Sequence, residues 1–307
     1  MCPETESKEN SASQDTLLFS EKAHQEQKVG APAYLRLAYA IFLLLSMFGL
    51  LAGCAKHNVP VTAREIPSPP TPPPPKARVA IIIDDVGYNE RALPDAIALT
   101  VPVDFAVLPH LPYTQRLAKR LSRAGFEIML HQPMEPVSHT MDPGPGSIGA
   151  EMTREQIKAT LAENLQQVPA ARGANNHMGS KATASRRLME IVLPILAQRG
   201  LFFVDSLTTS RSVCWQVSKD LGIPIVARDV FLDNVRNREP IIAQLQKLKR
   251  LALRRGEAIG IGHFHPVTLL TLEEIAPSFE EEGIEFVFVS EIIRRRQESK
   301  TAGDGQH

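Results

Sequence analysis

From Arg78 onward, short apolar runs alternate with longer amphipathic stretches. The runs are VAIIID (79–84), DFAVLP (104–109), EIMLH (127–131), the segment around GANNH (173–177), LFFVD (201–205), IPIVAR (223–228), AIGIGH (258–263) and IEFVFVS (284–290). They are too short for core helices and apolar without a break, as strands buried on both faces must be. The stretches between them carry helix signals. Residues 183–199 keep Leu188, Val192 and Leu196 on one face, and Thr153 followed by Gln156 fits a capping box. Ser290 is the predicted cap of a last helix, SEIIRRR. About eight β–α units in a row predict an α/β fold, a parallel sheet with its helices outside. A closed or partly closed barrel fits better than an open doubly wound sheet, because Asp-Asp-Val-Gly-Tyr follows the first strand instead of a glycine-rich nucleotide turn.

The pattern predicts one domain over 77–295, followed by a disordered tail, 296–307. Ahead of it, 1–36 is a polar segment expected to be disordered. Residues 37–54 hold the uncharged run Leu37–Gly53, between a secretory core and a membrane span in length. Leu51-Ala52-Gly53-Cys54 is similar to a bacterial lipoprotein processing box, which makes Cys54 the expected lipidation site; a single membrane helix is the alternative. Either one exports the chain and anchors it to a membrane of the bacterial cell envelope. The Pro-rich stretch 55–76 then acts as an extended tether.

Charge narrows the function classes. Lys+Arg and Asp+Glu both number 34, so no basic excess points to nucleic acid, and no recognition motif for it occurs. Cys2, Cys54 and Cys214 lie far apart with no CxxC pair, which argues against a thiolate zinc site.

In β/α barrels chemistry gathers at the C-terminal ends of the strands, where the loops converge. Those ends carry Asp84-Asp85, His110, His131, Asn175-Asn176-His177, Asp205, Asp229 and His263-Phe264-His265. Two adjacent carboxylates repel each other unless a cation or a shared proton compensates; the plain alternative is a helix cap. For His131, at the end of an apolar strand, a satisfied core histidine is the alternative. Asp205 either orients a neighbouring histidine or caps a turn, and Trp215 reads as packing or as a sugar platform.

These residues carry a resemblance. VAIIIDDVG (79–87) resembles the first motif of NodB-type polysaccharide deacetylases, AGFEIMLH (124–131) their metal-binding histidine stretch, and IGIGH (259–263) their late Leu-x-His motif. Together with MLHQPMEP, NNHMGS, LFFVDSLTTS and GHFHP, the pattern is similar to the divergent polysaccharide deacetylase family. The resemblance implies a distorted (β/α) barrel of the NodB type and an exported hydrolase that removes N-acetyl groups from a polysaccharide or peptidoglycan-type glycan. It also implies a divalent metal, zinc by expectation, held by Asp85 and His131. Phe126 stands where that stretch has its first histidine, His131 at its metal-binding histidine, and Glu135 where the family has another histidine four residues later, so the third ligand is His177 or Glu135, with His177 favoured. In this scheme Asp84 is the general base and His263 the general acid, oriented by Asp205. His265 is its substitute or a further ligand. The family's Arg-x-Pro motif has no match, and Asn175-Asn176 fall in that region. The rival expectation is a catalytically degenerate module of the envelope that binds glycan or protein.

Overall fold

The computed structural model describes residues 74–304. The segments 1–36 and 37–54, Cys54 and most of the tether therefore lie outside the described residues. Among those described, no helix is long and apolar enough to cross a membrane. The described residues form nine strands: β1 (Ala77–Val86), β2 (Asp104–Val107), β3 (Glu127–Met134), β4 (Ala171–Met178), β5 (Phe202–Asp205), β6 (Ile225–Ala227), β7 (Val230–Phe231), β8 (Glu257–His263) and β9 (Ile284–Phe286). The helices are α1 (Leu93–Ile97), α2 (Thr114–Arg123), α3 (Arg154–Gln167), α4 (Arg186–Ala197), α5 (Cys214–Leu221), α6 (Arg238–Arg255), α7 (Pro266–Ile275), α8 (Pro277–Glu280) and α9 (Val289–Asp304).

Every strand pairing is parallel, in the order β6-β5-β4-β3-β2-β1-β8-β7. β9 also pairs with β1, over Ala77–Val79. The two end strands, β6 and β7, are consecutive in the chain, parted only by Arg228 and Asp229. The Arg228 amide donates to Asp205 in β5 and the Asp229 amide to Ile259 in β8, at 3.0 and 2.9 Å. One broken strand thus brings the two edges together, and the sheet is a distorted (β/α) barrel, as the pattern predicts.

Alternation along the strands sorts the residues into two layers. Val79, Ile81, Ile83, Phe105, Ile128, Leu130, Ala174 and Phe203 pack outward against the helices. Ala80, Ile82, Ala106, Met129, Val204, Val226, Ile259 and Ile261 line the lumen. Continuing that inward parity toward the C-terminal ends reaches Asp84, His131, Asn175, His177 and His263. It reaches Val204 and Ser206 in β5, but not Asp205.

The helix signals hold where they are local. Thr153 and Gln156 close both hydrogen bonds of the capping box, at 2.8 and 3.2 Å. Helix α4 buries Leu188, Val192 and Leu196. The C-terminal region departs from expectation. The strand expected over 284–290 ends at Phe286, and α9 begins at Val289. Val289, Ile292 and Ile293 of this helix join the inward cluster. Its first amides are capped by neighbouring strands, not by the Ser290 side chain: Val289 donates to Asp104 Oδ2 at 3.1 Å and Ser290 to Glu127 Oε1 at 3.3 Å. The helix continues to Asp304, past the boundary expected at 295.

Candidate active site

Neighbouring residues of a regular strand point to opposite faces, so Asp84 and Asp85 could not share a site without a break. The break is present. Asp85 has φ +61°, and the β1–β2 register shifts between Ile83 and Val86. This left-handed residue, tolerated by Asp better than by most side chains, swings the second carboxylate to the side of the first. Non-glycine residues of positive φ also occur at Met178, the last residue of β4, and at Leu207, two residues past β5. Backbone strain of this kind, costing about 1–3 kcal/mol per residue, concentrates at functional sites.

Three ligand-type atoms converge at this point. His177 Nδ1 lies 3.0 Å from Asp85 Oδ1, and His131 Nε2 lies 3.3 Å from the same oxygen. The two ring nitrogens are 3.0 Å apart. Among the described residues, Asp85, His131 and His177 form the group whose ligand atoms all lie within 4.8 Å of one another. Asn175 sets their chemistry. Its Oδ1 meets His131 Nδ1 at 2.8 Å and its Nδ2 donates to Asp84 Oδ1 at 2.7 Å. The amide oxygen accepts, so His131 Nδ1 carries a proton and Nε2 turns a lone pair toward His177 and Asp85. Asp85 Oδ1 is buried without a hydrogen bond. Lone pairs on two nitrogens and one carboxylate oxygen, aimed at one point, fit a divalent cation. Two His and one carboxylate also leave room for a water or substrate position, as catalytic zinc sites do. Burial works to raise the Asp85 pKa, but when the two imidazoles are protonated their hydrogen bonds and charge outweigh it and hold the carboxyl well below its usual range.

Asp84 is 4% exposed, and its Oδ2 stands 3.7 Å from His131 Nε2. Burial raises its pKa, and the His131 charge and the Asn175 hydrogen bond only partly offset this. His263 approaches from the other side, its Nε2 3.8 Å from Asp85 Oδ2.

The group that orients His263 is Asp233, not Asp205. Asp233 Oδ1 meets His263 Nδ1 at 2.9 Å, and Oδ2 accepts from the His263 amide and the Thr268 hydroxyl, both at 2.7 Å. Burial alone would lower the His263 pKa, yet the bond and charge of Asp233 raise it overall. Asp205 faces the helix layer, where it accepts from the Leu207 amide and the Ser212 hydroxyl. Its sequence position at a strand end was sound, but its parity was not.

The remaining expectations fall outside the cluster. Glu135 accepts from the Ala150 amide at 2.7 Å and from Lys181 Nζ at 2.6 Å, which makes it a loop anchor and leaves His177 as the third ligand-type residue. Asn176 accepts from the Ser206 amide and donates to the Met178 carbonyl, tying β4 to the β5 loop. His265 stands at the N-terminal cap position of α7 without a side-chain capping hydrogen bond, its ring 6.0 Å from that of His263. Burial and then Arg236 lower its pKa. His110 bonds Asn164, and Asp229 bonds the Ile259 amide and Arg255. Trp215 is 59% exposed and so is not packed in the core.

Sequence reasoning missed Asp233, Arg228 and the specific work of Asn175. The Arg228 guanidinium donates to the carbonyls of Ser206 and Leu207 and lies 5.0 Å over the Phe231 ring, which in turn sits 5.2 Å from the His263 ring.

Residues 81–293 match the family model described as divergent polysaccharide deacetylase. An Escherichia coli K12 protein, YibQ, is 33% identical over 198 residues, covering 64% of this chain and 62% of that protein. A Haemophilus influenzae protein is 33% identical over 199 residues, covering 64% of this chain and 70% of its own. The crystal structure of ATU2773 from Agrobacterium tumefaciens C58 superposes with a TM-score of 0.69 at 26% identity, over 73% of this chain and 92% of that one.

Proposed function

Since the chain belongs to the divergent polysaccharide deacetylase family, we propose that it is a metal-dependent hydrolase that removes N-acetyl groups from a polysaccharide of the cell envelope. The observation that carries this reading is the convergence of Asp85, His131 and His177 with two further titratable side chains, Asp84 and His263, on either side. Asp85, His131 and His177 would hold the cation, zinc by the chemistry of the donor set. When bound, such a cation supplies Lewis acidity, lowering the pKa of a water and polarising an amide carbonyl.

The chain's own residues do the rest. Asp84 is the proton acceptor: its carboxylate is buried beside the ligand atoms, and Asn175 holds Oδ1 so that Oδ2 faces inward. A raised pKa makes it a better base for the water's proton. His263 is the proton donor to the departing amine. Asp233 fixes its Nδ1 and favours the imidazolium, leaving Nε2 directed at the site. Arg228 clamps the loop after β5, which holds the wall of the site in place.

We further place the domain on the outside of a bacterial membrane, tethered through Cys54 or a single N-terminal helix. The support is the uncharged run ending in Leu-Ala-Gly-Cys and the Pro-rich stretch after it. Loss of lipid labelling in Cys54→Ala, with the protein still exported, is the expected result for the lipoprotein form.

The reaction is tested by acetate release from N-acetylglucosamine oligomers and peptidoglycan fragments, comparing wild type with Asp84→Asn. Release by the wild type alone is expected. Equal release by both removes Asp84 as the base, and no release by metal-loaded wild type would leave a binding module instead.

A further inference from the structure

The chain enters the barrel at the end opposite the metal-binding group. The Lys76 amide donates to the Gly283 carbonyl and the Arg78 amide to the Gly256 carbonyl, both at 2.9 Å. Gly256 is the residue that ends α6, so the chain meets the domain beside the C-terminus of that helix. Asp84 lies seven residues beyond Ala77 along β1, about 23 Å away at roughly 3.3 Å per residue.

The last turns of α6 are cationic on one face. Lys247, Arg250 and Arg254, spaced by three and four residues, share that face, and with Leu251 and Leu253 they line a groove of about 340 Å³. All three cations are exposed, and Leu253 is 40% exposed. Among the described residues these three form no ion pair, whereas the cations around them are engaged. Arg255 pairs with Asp229, Arg78 with Glu285, Arg296 with Glu257 and Lys249 with Glu282. Lys249, two residues from Lys247, points to the opposite side of the helix and draws Glu282 away from the groove. The helix dipole favours basic residues in a last turn, which accounts for Arg254 and Arg255. Lys247 and Arg250 precede that turn and need another reason.

We propose that this face docks on the anionic phospholipid headgroups of a bilayer, so that the domain rests on the membrane by its N-terminal end and turns the metal-binding group away from it; this rests on the placement of the chain at a membrane. Unshared guanidinium and ammonium groups take phosphate oxygens through charge-assisted hydrogen bonds. Leu253 beside them supplies apolar surface for the boundary between headgroups and acyl chains. A bilayer is favoured over an acidic protein because the chain that carries the expected anchor enters at this same end, where Lys76 adds an exposed cation. Each Lys or Arg near an anionic surface favours association roughly fivefold. The attraction decays over a screening length of about 8 Å at physiological salt, so only the end of the barrel nearest the membrane takes part.

Amine labelling of the full chain on vesicles tests this, read by mass spectrometry at Lys247 against Lys158, which lies in the second turn of α3 toward the opposite end of the barrel. On vesicles containing phosphatidylglycerol, Lys247 should react at least about fivefold more slowly than on phosphatidylcholine alone, and Lys158 equally on both. The protection should vanish in 1 M salt, where the screening length is about 3 Å. It should also vanish in the double variant Arg250→Gln, Arg254→Gln, which alters exposed side chains. Equal labelling of Lys247 on the two lipids, protection that survives in the variant, or the same protection by inorganic phosphate without vesicles overturns the docking. A chain that binds both kinds of vesicle with Lys247 unprotected keeps the anchor and removes the docking. A chain that binds only the phosphatidylglycerol vesicles, with Lys247 protected, keeps the docking and removes the anchor.

Discussion

The barrel lumen buries carboxyl groups at both of its ends, and the two ends treat them differently. At the C-terminal end Asp84 and Asp85 meet the imidazoles of His131, His177 and His263 within 3.0–3.8 Å. At the N-terminal end Asp104, fully buried, meets the first turn of α9 and the Glu127 carboxyl. The imidazoles hold Asp85 well below the ordinary carboxylate range. Asp104 is pushed well above it, by burial first and by Glu127 next. Asp85, facing two ring nitrogens, is held in its charged form and offers a lone pair, whereas Asp104, facing the Glu127 carboxyl, is pushed toward its protonated form and serves as a cap. A carboxyl pair in the lumen is therefore not enough to make a site. Its neighbours decide.

The comparison breaks most visibly at the C-terminal end. Asp84→Asn should lower the rate constant for acetate release roughly 10²–10⁴-fold, the range for loss of a general base, with metal content unchanged. Smaller losses are expected from the supporting residues. Asn175→Ala should weaken metal affinity or activity roughly 10–100-fold, as removal of a group that orients a ligand does. Asp233→Asn should cut kcat by a similar factor with KM and metal content unchanged, since among the residues of the site it touches the proton donor and none of the ligand-type group.

The N-terminal end should respond in stability alone. Asp104→Ala leaves the Val289 amide without its acceptor, costing roughly 1–3 kcal/mol in denaturant unfolding, while acetate release per folded molecule stays at the wild-type level. Asp104→Asn keeps an acceptor and changes only the pH dependence. Because the folded-state pKa of Asp104 is raised, the folded chain binds the proton more tightly than the unfolded one. That contribution is fully present below the ordinary aspartate range and is lost as pH rises through the raised value. The urea midpoint of wild type should therefore fall over that interval, and the slope should flatten in Asp104→Asn.

Much of the C-terminal end was legible in the sequence because strand ends are legible. The polar residues that close apolar runs, Asp84-Asp85, His131, His177 and His263, are the ones brought together. Parity within the runs would have gone further. In LFFVD the inward residues are Phe202 and Val204, so Asp205 is excluded by simple alternation. Asp233 was hidden because IPIVAR read as one strand ending near Asp229. The strand in fact breaks at Arg228–Asp229 and resumes over Val230–Phe231, which moves the functional strand end four residues on. The N-terminal end was not legible at all. The capping of α9 by Asp104 and Glu127 joins residues more than 160 positions apart, and no local signal records it.

The central claim is that Asp85, His131 and His177 hold a divalent cation and that Glu135 does not. Metal content measured on purified wild type, His177→Ala and Glu135→Gln tests it most directly. Stoichiometric divalent metal in wild type and Glu135→Gln, with loss in His177→Ala, is the expected result. Metal retained by His177→Ala, or lost from a folded Glu135→Gln, would contradict it.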